Sequence, residues 1–436
     1  MKLKKIDIDI LRLAIPSIIS NITVPLLGLV DLAIAGHMGA DYFIGAIAVG
    51  TMMFNVMYWL MGFLRMGCSG LTAQAFGGGA DTVPVFRQFF RIALTISLLL
   101  LVLQYPLCRL FELLFFPTGA NEVMRQYVCT YFYIVVWGAP AVLCQYVLSG
   151  WFIGMQNTKI PMWVSLLQNV VNISCSLLFV YVFGMKIAGI ATGTVVAQWF
   201  GAILAFMLMP RVKGRLPFRR QGSPTTDMTV GLHRILTLNG SLFLRTACLV
   251  AVNLFFTAAG SWQGALMLSV NTLLMTLFTI YSYFVDGFAY AGEALCGKYA
   301  GANRQDELKH TVRHLVIWGA AVAAIFTCAY VCGGQFFMSL LTSEADVVVA
   351  AKNFLPWTWL IPFAGTLAFI YDGVFVGLAA GRQMMVTMVC ATAVFFGLSW
   401  GLWATIGNHA IWLALICYLL LRGLLLHGLF HKGSWF

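Results

Sequence analysis

The chain has 436 residues, of which 61% are apolar and only 9% charged. Soluble domains carry about 25% charged residues, so a soluble globular enzyme, a disordered chain and a nucleic-acid binder are excluded. The net charge of +11 is then a matter of topology and anionic lipid headgroups. The apolar residues come in blocks of about 20, the length a helix needs to cross the hydrocarbon core, and not in the alternating strands of an outer-membrane barrel.

Lys2, Lys4 and Lys5 precede the first block. It contains Asp7, Asp9, Arg12, Pro16, Asn21, Pro25 and Asp31, too many polar residues over too great a length for a signal peptide. It is read as an uncleaved first span, over about 10–35. Spans two to six are predicted over 43–67, 92–115, 126–150, 160–183 and 187–209. The Pro/Gly/Arg-rich stretch 210–234 follows as a basic cytoplasmic linker. Spans seven to twelve are predicted over 235–259, 265–290, 314–340, 354–380, 385–406 and 409–430. The fold class is thus an all-α polytopic membrane protein with twelve transmembrane helices.

Charge placement fixes an orientation. With the N-terminus inside, only Arg109, Arg125, Lys186 and Lys352 fall outside, and Arg12, Arg65, Arg245 and Arg422 lie within or at the ends of spans. The other eighteen of the 26 Lys and Arg are cytoplasmic, so both termini are expected in the cytoplasm of a cell (inner) membrane protein.

The chain also repeats itself. Gly150-Trp-Phe-Ile-Gly154, followed by Lys159, resembles Gly373-Val-Phe-Val-Gly377, followed by Arg382. Ala73-Gln-Ala-Phe-Gly77 resembles Gly297-Lys-Tyr-Ala-Gly301, and Ile15-Pro-Ser17 resembles Asn239-Gly-Ser241. A common offset near half the chain length predicts six-helix lobes over 1–209 and 235–436. Six is even, so the lobes are parallel repeats related by an axis along the membrane normal, an arrangement suited to alternating access.

Ionisable residues at membrane depth are costly and suggest function. Asp31 shares its helix with Pro16, Asn21 and Pro25, and the two prolines are expected to kink that helix. Asn169 and Asn172 share a face of span five, and Thr192 and Thr194 lie on span six. A carboxyl among amides and hydroxyls can hold a proton or a hard cation. In the second lobe, Asp286 and Glu293 are seven apart on one face, with Arg245 and Asp372 as natural partners. That cluster reads equally as a site or as a static salt bridge. The eleven cysteines are read as small buried hydrophobes, and the His310/His314 and His427/His431 pairs as solvated faces. No metal-ligand set is expected, and no cofactor.

These residues resemble a known family. Ile15-Pro16 through Pro25-Leu-Leu-Gly-Leu-Val-Asp31, with Ala35-Gly36-His37-Met-Gly39, is similar to the first helix of the multidrug and toxic compound extrusion (MATE) family. Phe63-Leu-Arg65-Met-Gly67 with Leu71-Thr-Ala-Gln74, Phe243-Leu-Arg245-Thr246, and Tyr283-Phe-Val-Asp286-Gly287-Phe288 with Glu293-Ala-Leu resemble its DinF-like branch. The resemblance implies two lobes in a V around a cavity, and export of amphipathic, often cationic small molecules in exchange for H⁺ or Na⁺. It implies a first-lobe coupling site at Asp31, Asn172 and Thr194 with Pro16 as the kink, occupied by H⁺ or Na⁺. A single carboxylate with amide neighbours titrates readily, so H⁺ is the expected ion and Na⁺ the alternative. This chain departs from the pattern at Ser176, where the family carries a second acid on helix five. Of a second branch's acids, the helix-seven position is Arg245 and the helix-ten counterpart is Asp372.

The expected function is a secondary-active antiporter, monomeric, with a small-molecule substrate and no nucleic-acid partner. A lipid-linked precursor flippase of the same superfamily is the alternative. A membrane-embedded enzyme is a more distant one, since it would need histidines or metal ligands at membrane depth and the histidines lie in loops and at span ends.

Overall fold

The computed structural model describes residues 5–38, 41–116, 122–213, 232–342 and 344–433. Most of the 210–234 linker lies outside the described residues. Among the described residues the regular elements are all helical. The first repeat comprises α1 (Lys5–Gly36), α2 (Asp41–Leu60), α3 (Phe63–Gly77), α4 (Val83–Val102), α5 (Gln104–Phe115), α6 (Glu122–Val135), α7 (Ala139–Gly154), α8 (Lys159–Leu177) and α9 (Lys186–Leu208). A single turn, α10 (Pro210–Lys213), follows. The second repeat comprises α11 (Leu232–Trp262), α12 (Ala265–Gly301), α13 (Gln305–Leu341), the short α14 (Ala345–Ala351), α15 (Leu355–Gly377), α16 (Gly381–Ile406) and α17 (Asn408–Lys432).

Twelve of the described stretches are long and apolar enough to cross a membrane, with α2–α3 and α6–α7 each continuing as one span. The count agrees with the sequence reading, but the third span differs. It runs Val83–Val102, where 92–115 was expected. Pro106 lacks an N–H and resists continuation of the helix from α4, so the chain breaks at Leu103 and restarts as α5. The basic ends of α4 (Arg87, Arg91) and α12 (Lys298) are also helical, where loops were expected.

The chain forms two compact units. One contains Ile19–Thr72 and Ala80–Val230; the other contains Gly231–Phe436 together with Met1–Ile18 and Ala73–Gly79. The internal repeat is visible within each unit as the same close packing. A Cβ on Gly150 of α7 would stand 2.4 Å from the Arg65 carbonyl oxygen, and one on Gly154 would stand 2.8 Å from that of Ser69. In the other unit a Cβ on Gly373 of α15 would stand 2.1 Å from the Ala289 oxygen, and one on Gly377 would stand 2.7 Å from that of Glu293. Small residues four apart let helix backbones touch inside a membrane. The Gly-x-x-x-Gly pairs therefore seat α7 on α3 and α15 on α12 in equivalent ways.

A reciprocal contact joins the other matched motif. A Cβ on Gly77 would lie 1.9 Å from the Lys298 oxygen, and one on Gly301 would lie 1.9 Å from the Gln74 oxygen. The Gln74 side chain also donates to the Gly377 carbonyl at 3.0 Å. Gly373→Ala and Gly150→Ala are each expected to lower stability by about 1–3 kcal/mol, since backbone must shift to admit the methyl. Gly397→Ala, which meets nothing within 4 Å, is expected to be neutral or stabilising by up to about 1 kcal/mol. Thermal unfolding in detergent micelles checks both signs.

Candidate functional site

The first candidate site lies within the unit that holds most of the first repeat. Asp31, in the last turns of α1, is buried at 7% exposure, and its Oδ1 has no hydrogen-bond partner among the described residues. Burial of an ionisable group without a partner is costly, so the position is not explained by packing. α8 presents Asn169, Asn172 and Ser176 before it ends in a π-helical turn over Leu178–Val182, a feature frequent near functional positions. Asn172 and Ser176 are buried. The Asn172 amide donates to Thr194 Oγ1 of α9 at 3.2 Å, and the Thr194 hydroxyl donates to the Ile190 carbonyl at 3.0 Å. Asn172 Oδ1 and Ser176 Oγ lack hydrogen-bond partners among the described residues.

Asn169 reaches α1 itself, donating to the Thr23 carbonyl at 3.1 Å, while Thr23 Oγ1 lies 3.3 Å from Ser165 Oγ. The Thr23 turn of α1 is thereby fastened to α8. Pro16 is buried within a helix that continues unbroken from Lys5 to Gly36, and the side chain of Pro25 lies outside the described residues.

Sequence reasoning missed Tyr131 of α6. Its buried hydroxyl faces Thr51 and Thr194 and lies in the field of Asp31. A Cβ on Gly50 would stand 2.5 Å from the Tyr131 ring, so glycine at that position makes room for it. Only that glycine could have marked one tyrosine among the 15 in the chain. A neighbouring amide network was also missed. Gln145 donates to Gln168 Oε1 at 2.9 Å and to the Gln198 carbonyl at 3.0 Å. Intramembrane glutamines on three predicted spans were its available signal.

The second-repeat cluster has a different composition from the one expected. Arg245 does pair with Asp372, and Arg422 of α17 pairs with the same carboxylate oxygen. Arg422 is 2% exposed and lies over the Phe369 and Tyr418 rings at 5.6 and 5.9 Å. The sequence reading counted one base here; there are two. Glu293 is buried and Asp286 half-buried on α12.

Two other readings are corrected. His314 is not on a solvated face: its Nδ1 lies 2.7 Å from Asp7 Oδ1, and the Trp318 indole donates to the same oxygen at 3.1 Å. His427 Nδ1 lies 2.7 Å from the Tyr371 hydroxyl. The cysteines are not uniformly buried either. Cys68, Cys108, Cys144 and Cys296 are buried, while Cys328, Cys332 and Cys390 are exposed on helix surfaces.

Twelve apolar helices in two matching repeats, with ionisable groups held inside both, define a polytopic membrane transporter. The chain belongs to the multidrug and toxic compound extrusion family, in its DinF-like branch: the MatE family model matches residues 16–178 and 242–400. It is 33% identical over 435 residues to the DNA damage-inducible protein F of Escherichia coli (strain K12), covering 98% of this chain and 93% of that one. It is 23% identical to the multidrug resistance protein MdtK of Edwardsiella ictaluri (strain 93-146), covering 86% and 83%.

Solved structures share the fold. Vibrio cholerae VcmN in the bent form matches with a TM-score of 0.83 at 17% identity, over 98% of this chain and 96% of that one. An outward-facing MATE family transporter of the MOP superfamily matches with a TM-score of 0.84 at 16% identity, over 100% of both chains. The family is one of small-molecule efflux transporters embedded in the membrane.

Proposed function

We propose that the protein is a secondary-active antiporter of a cell (inner) membrane, acting as a monomer. It exports amphipathic, predominantly cationic small molecules in exchange for H⁺, with Na⁺ as the alternative coupling ion. The observation that carries this reading is the buried Asp31 carboxylate with an oxygen lacking a partner among the described residues; Asn172 Oδ1 and Ser176 Oγ on α8 are similarly orphaned, and Tyr131 and Thr194 link Asp31 to Asn172. These atoms are oxygens, as a proton relay or a hard cation requires.

In this reading a cation at Asp31 neutralises the carboxylate and removes the cost of holding the charge in oil. Helix α1 then bends near Pro16, and the first-repeat cavity shrinks around the substrate. Support for a hinge there is local. The division between the two compact units falls between Ile18 and Ile19, two residues beyond the proline, whose missing N–H weakens the helix. The Asn169–Thr23 contact lies on the Asp31 side of that division and would carry α8 with the moving segment.

The test is transport in proteoliposomes with an imposed H⁺ gradient and an imposed Na⁺ gradient, applied separately to a fluorescent organic cation. Uptake driven by the H⁺ gradient alone is the expected result. Uptake driven only by Na⁺ would reassign the ion, and uptake driven by neither would overturn the antiporter reading.

A further inference from the structure

A side-chain cluster that the transport mechanism does not use lies where α5 meets α6. α5 is outside the twelve membrane spans. It places Cys108 and Glu112 four residues apart, hence on one face, and α6 brings Cys129 against them. Cys129 Sγ stands 2.8 Å from Glu112 Oε1. The two sulfurs and a carboxylate oxygen all lie within 4.8 Å of one another.

We propose that Cys108, Cys129 and Glu112 form a binding site for a thiophilic divalent cation of the Zn²⁺ or Cd²⁺ type. Such ions take thiolate and carboxylate ligands tetrahedrally, with metal–sulfur bonds near 2.3 Å and ligand atoms about 3.8 Å apart. The three atoms need only small rotamer changes to reach that spacing, and water completes the fourth position. Two thiolates select soft ions over Mg²⁺ and Ca²⁺.

The surrounding charges fit the same ion. Glu112 Oε2 accepts from Arg109 at 2.9 Å and from Arg125 at 3.3 Å, and Arg125 also faces Glu122 at 3.6 Å. Binding releases one proton from each thiol. The two thiolates, two carboxylates, two guanidiniums and one divalent ion then sum to zero, whereas a monovalent ion would leave an uncompensated negative charge. Arg109 holds Glu112 by its far oxygen, while Arg125 spans both, donating to Oε2 and through Nε to Oε1 at 3.3 Å; the carboxylate is thereby fixed with Oε1 also facing Cys129, as outer partners orient metal ligands elsewhere. Arg109 is about half exposed (53%) and Arg125 is 37% exposed, which gives the ion a solvated way in.

The experiment uses the full chain in detergent micelles, reduced and then freed of reductant, titrated with Cd²⁺. The expected result is a thiolate-to-metal charge-transfer band in the ultraviolet that saturates at one ion per chain. Zn²⁺ should displace it and Mg²⁺ should not. Cys108→Ser or Cys129→Ser abolishes the band. Outer partners of metal ligands are worth about 10–100-fold in affinity, so Glu112→Gln, which alters a ligand, weakens binding by at least about tenfold. Cys328→Ser/Cys332→Ser leaves binding unchanged. Because a ligand variant that fails to fold also loses the band, the wild type is labelled with a maleimide with and without Cd²⁺, and the modified sites are mapped by mass spectrometry. Selective protection of the half-buried Cys129 supports the site. A band that survives both ligand variants, or equal labelling of Cys129 with and without the ion, overturns it.

Discussion

Asp31→Asn is expected to yield a protein that inserts and folds but no longer couples efflux to an ion gradient. The substitution keeps the shape of the side chain and removes only its ability to alternate between a charged and a neutral state. Exchange of one proton for one monovalent organic cation moves no net charge, so the H⁺ gradient alone drives it. A tenfold H⁺ gradient is worth about 1.4 kcal/mol and supports roughly tenfold accumulation. The mutant should therefore fall to an accumulation ratio of about one in vesicles with an imposed H⁺ gradient. Its melting temperature should be equal to or above that of the wild type, because a neutral amide costs less to bury than a carboxylate with an oxygen lacking a partner. Paired measurements of melting and vesicle transport separate this outcome from simple misfolding. Wild-type accumulation by the mutant would remove Asp31 from the coupling mechanism.

The span count and the repeat were legible because both are one-dimensional signals. A block of about 20 apolar residues has one low-energy form in a membrane. The matched motifs at Gly150/Gly154 and Gly373/Gly377 persist because only glycine admits the carbonyls of Arg65, Ser69, Ala289 and Glu293 so closely. Asp31 was legible for a related reason: a carboxyl in an apolar block stands out in composition alone. What escaped was lateral. Tyr131, the glutamine network around Gln145, and the cysteine pair Cys108/Cys129 are ordinary residues for apolar helices. They acquire meaning only when neighbouring helices turn the same faces together, and no periodicity within one helix reports which neighbour it meets. Arg422 escaped because an arginine near the end of a span ordinarily snorkels to the interface. Here the Phe369 and Tyr418 rings and the Asp372 carboxylate hold it inside. The break between α4 and α5 was visible in Pro106, but the apolar runs on either side of it, over 98–103 and 113–116, concealed the break.

Asp372→Ala is expected to be strongly destabilising, by about 3–5 kcal/mol. The carboxylate receives both Arg245 and Arg422, at 5% and 2% exposure, and its removal strips both guanidiniums of that shared counter-charge in a low-dielectric interior. The cost comes from breaking the set and not from any large net gain in having it, and this distinction sets the decisive comparison. Replacing the whole set with apolar residues of similar size, as in Asp372→Leu combined with Arg245→Met and Arg422→Met, is expected to recover most of the lost stability. Buried ion clusters exchanged in full for apolar groups are often neutral or stabilising. Thermal unfolding of the single and triple variants in detergent gives that answer. Transport by the triple variant gives a second one. If α11, α15 and α17 are merely fastened together there, the triple variant exports substrate as the wild type does. A stable triple variant that no longer transports would mean that the two arginines and their shared carboxylate take part in the transport cycle, and the static salt bridge would no longer account for them.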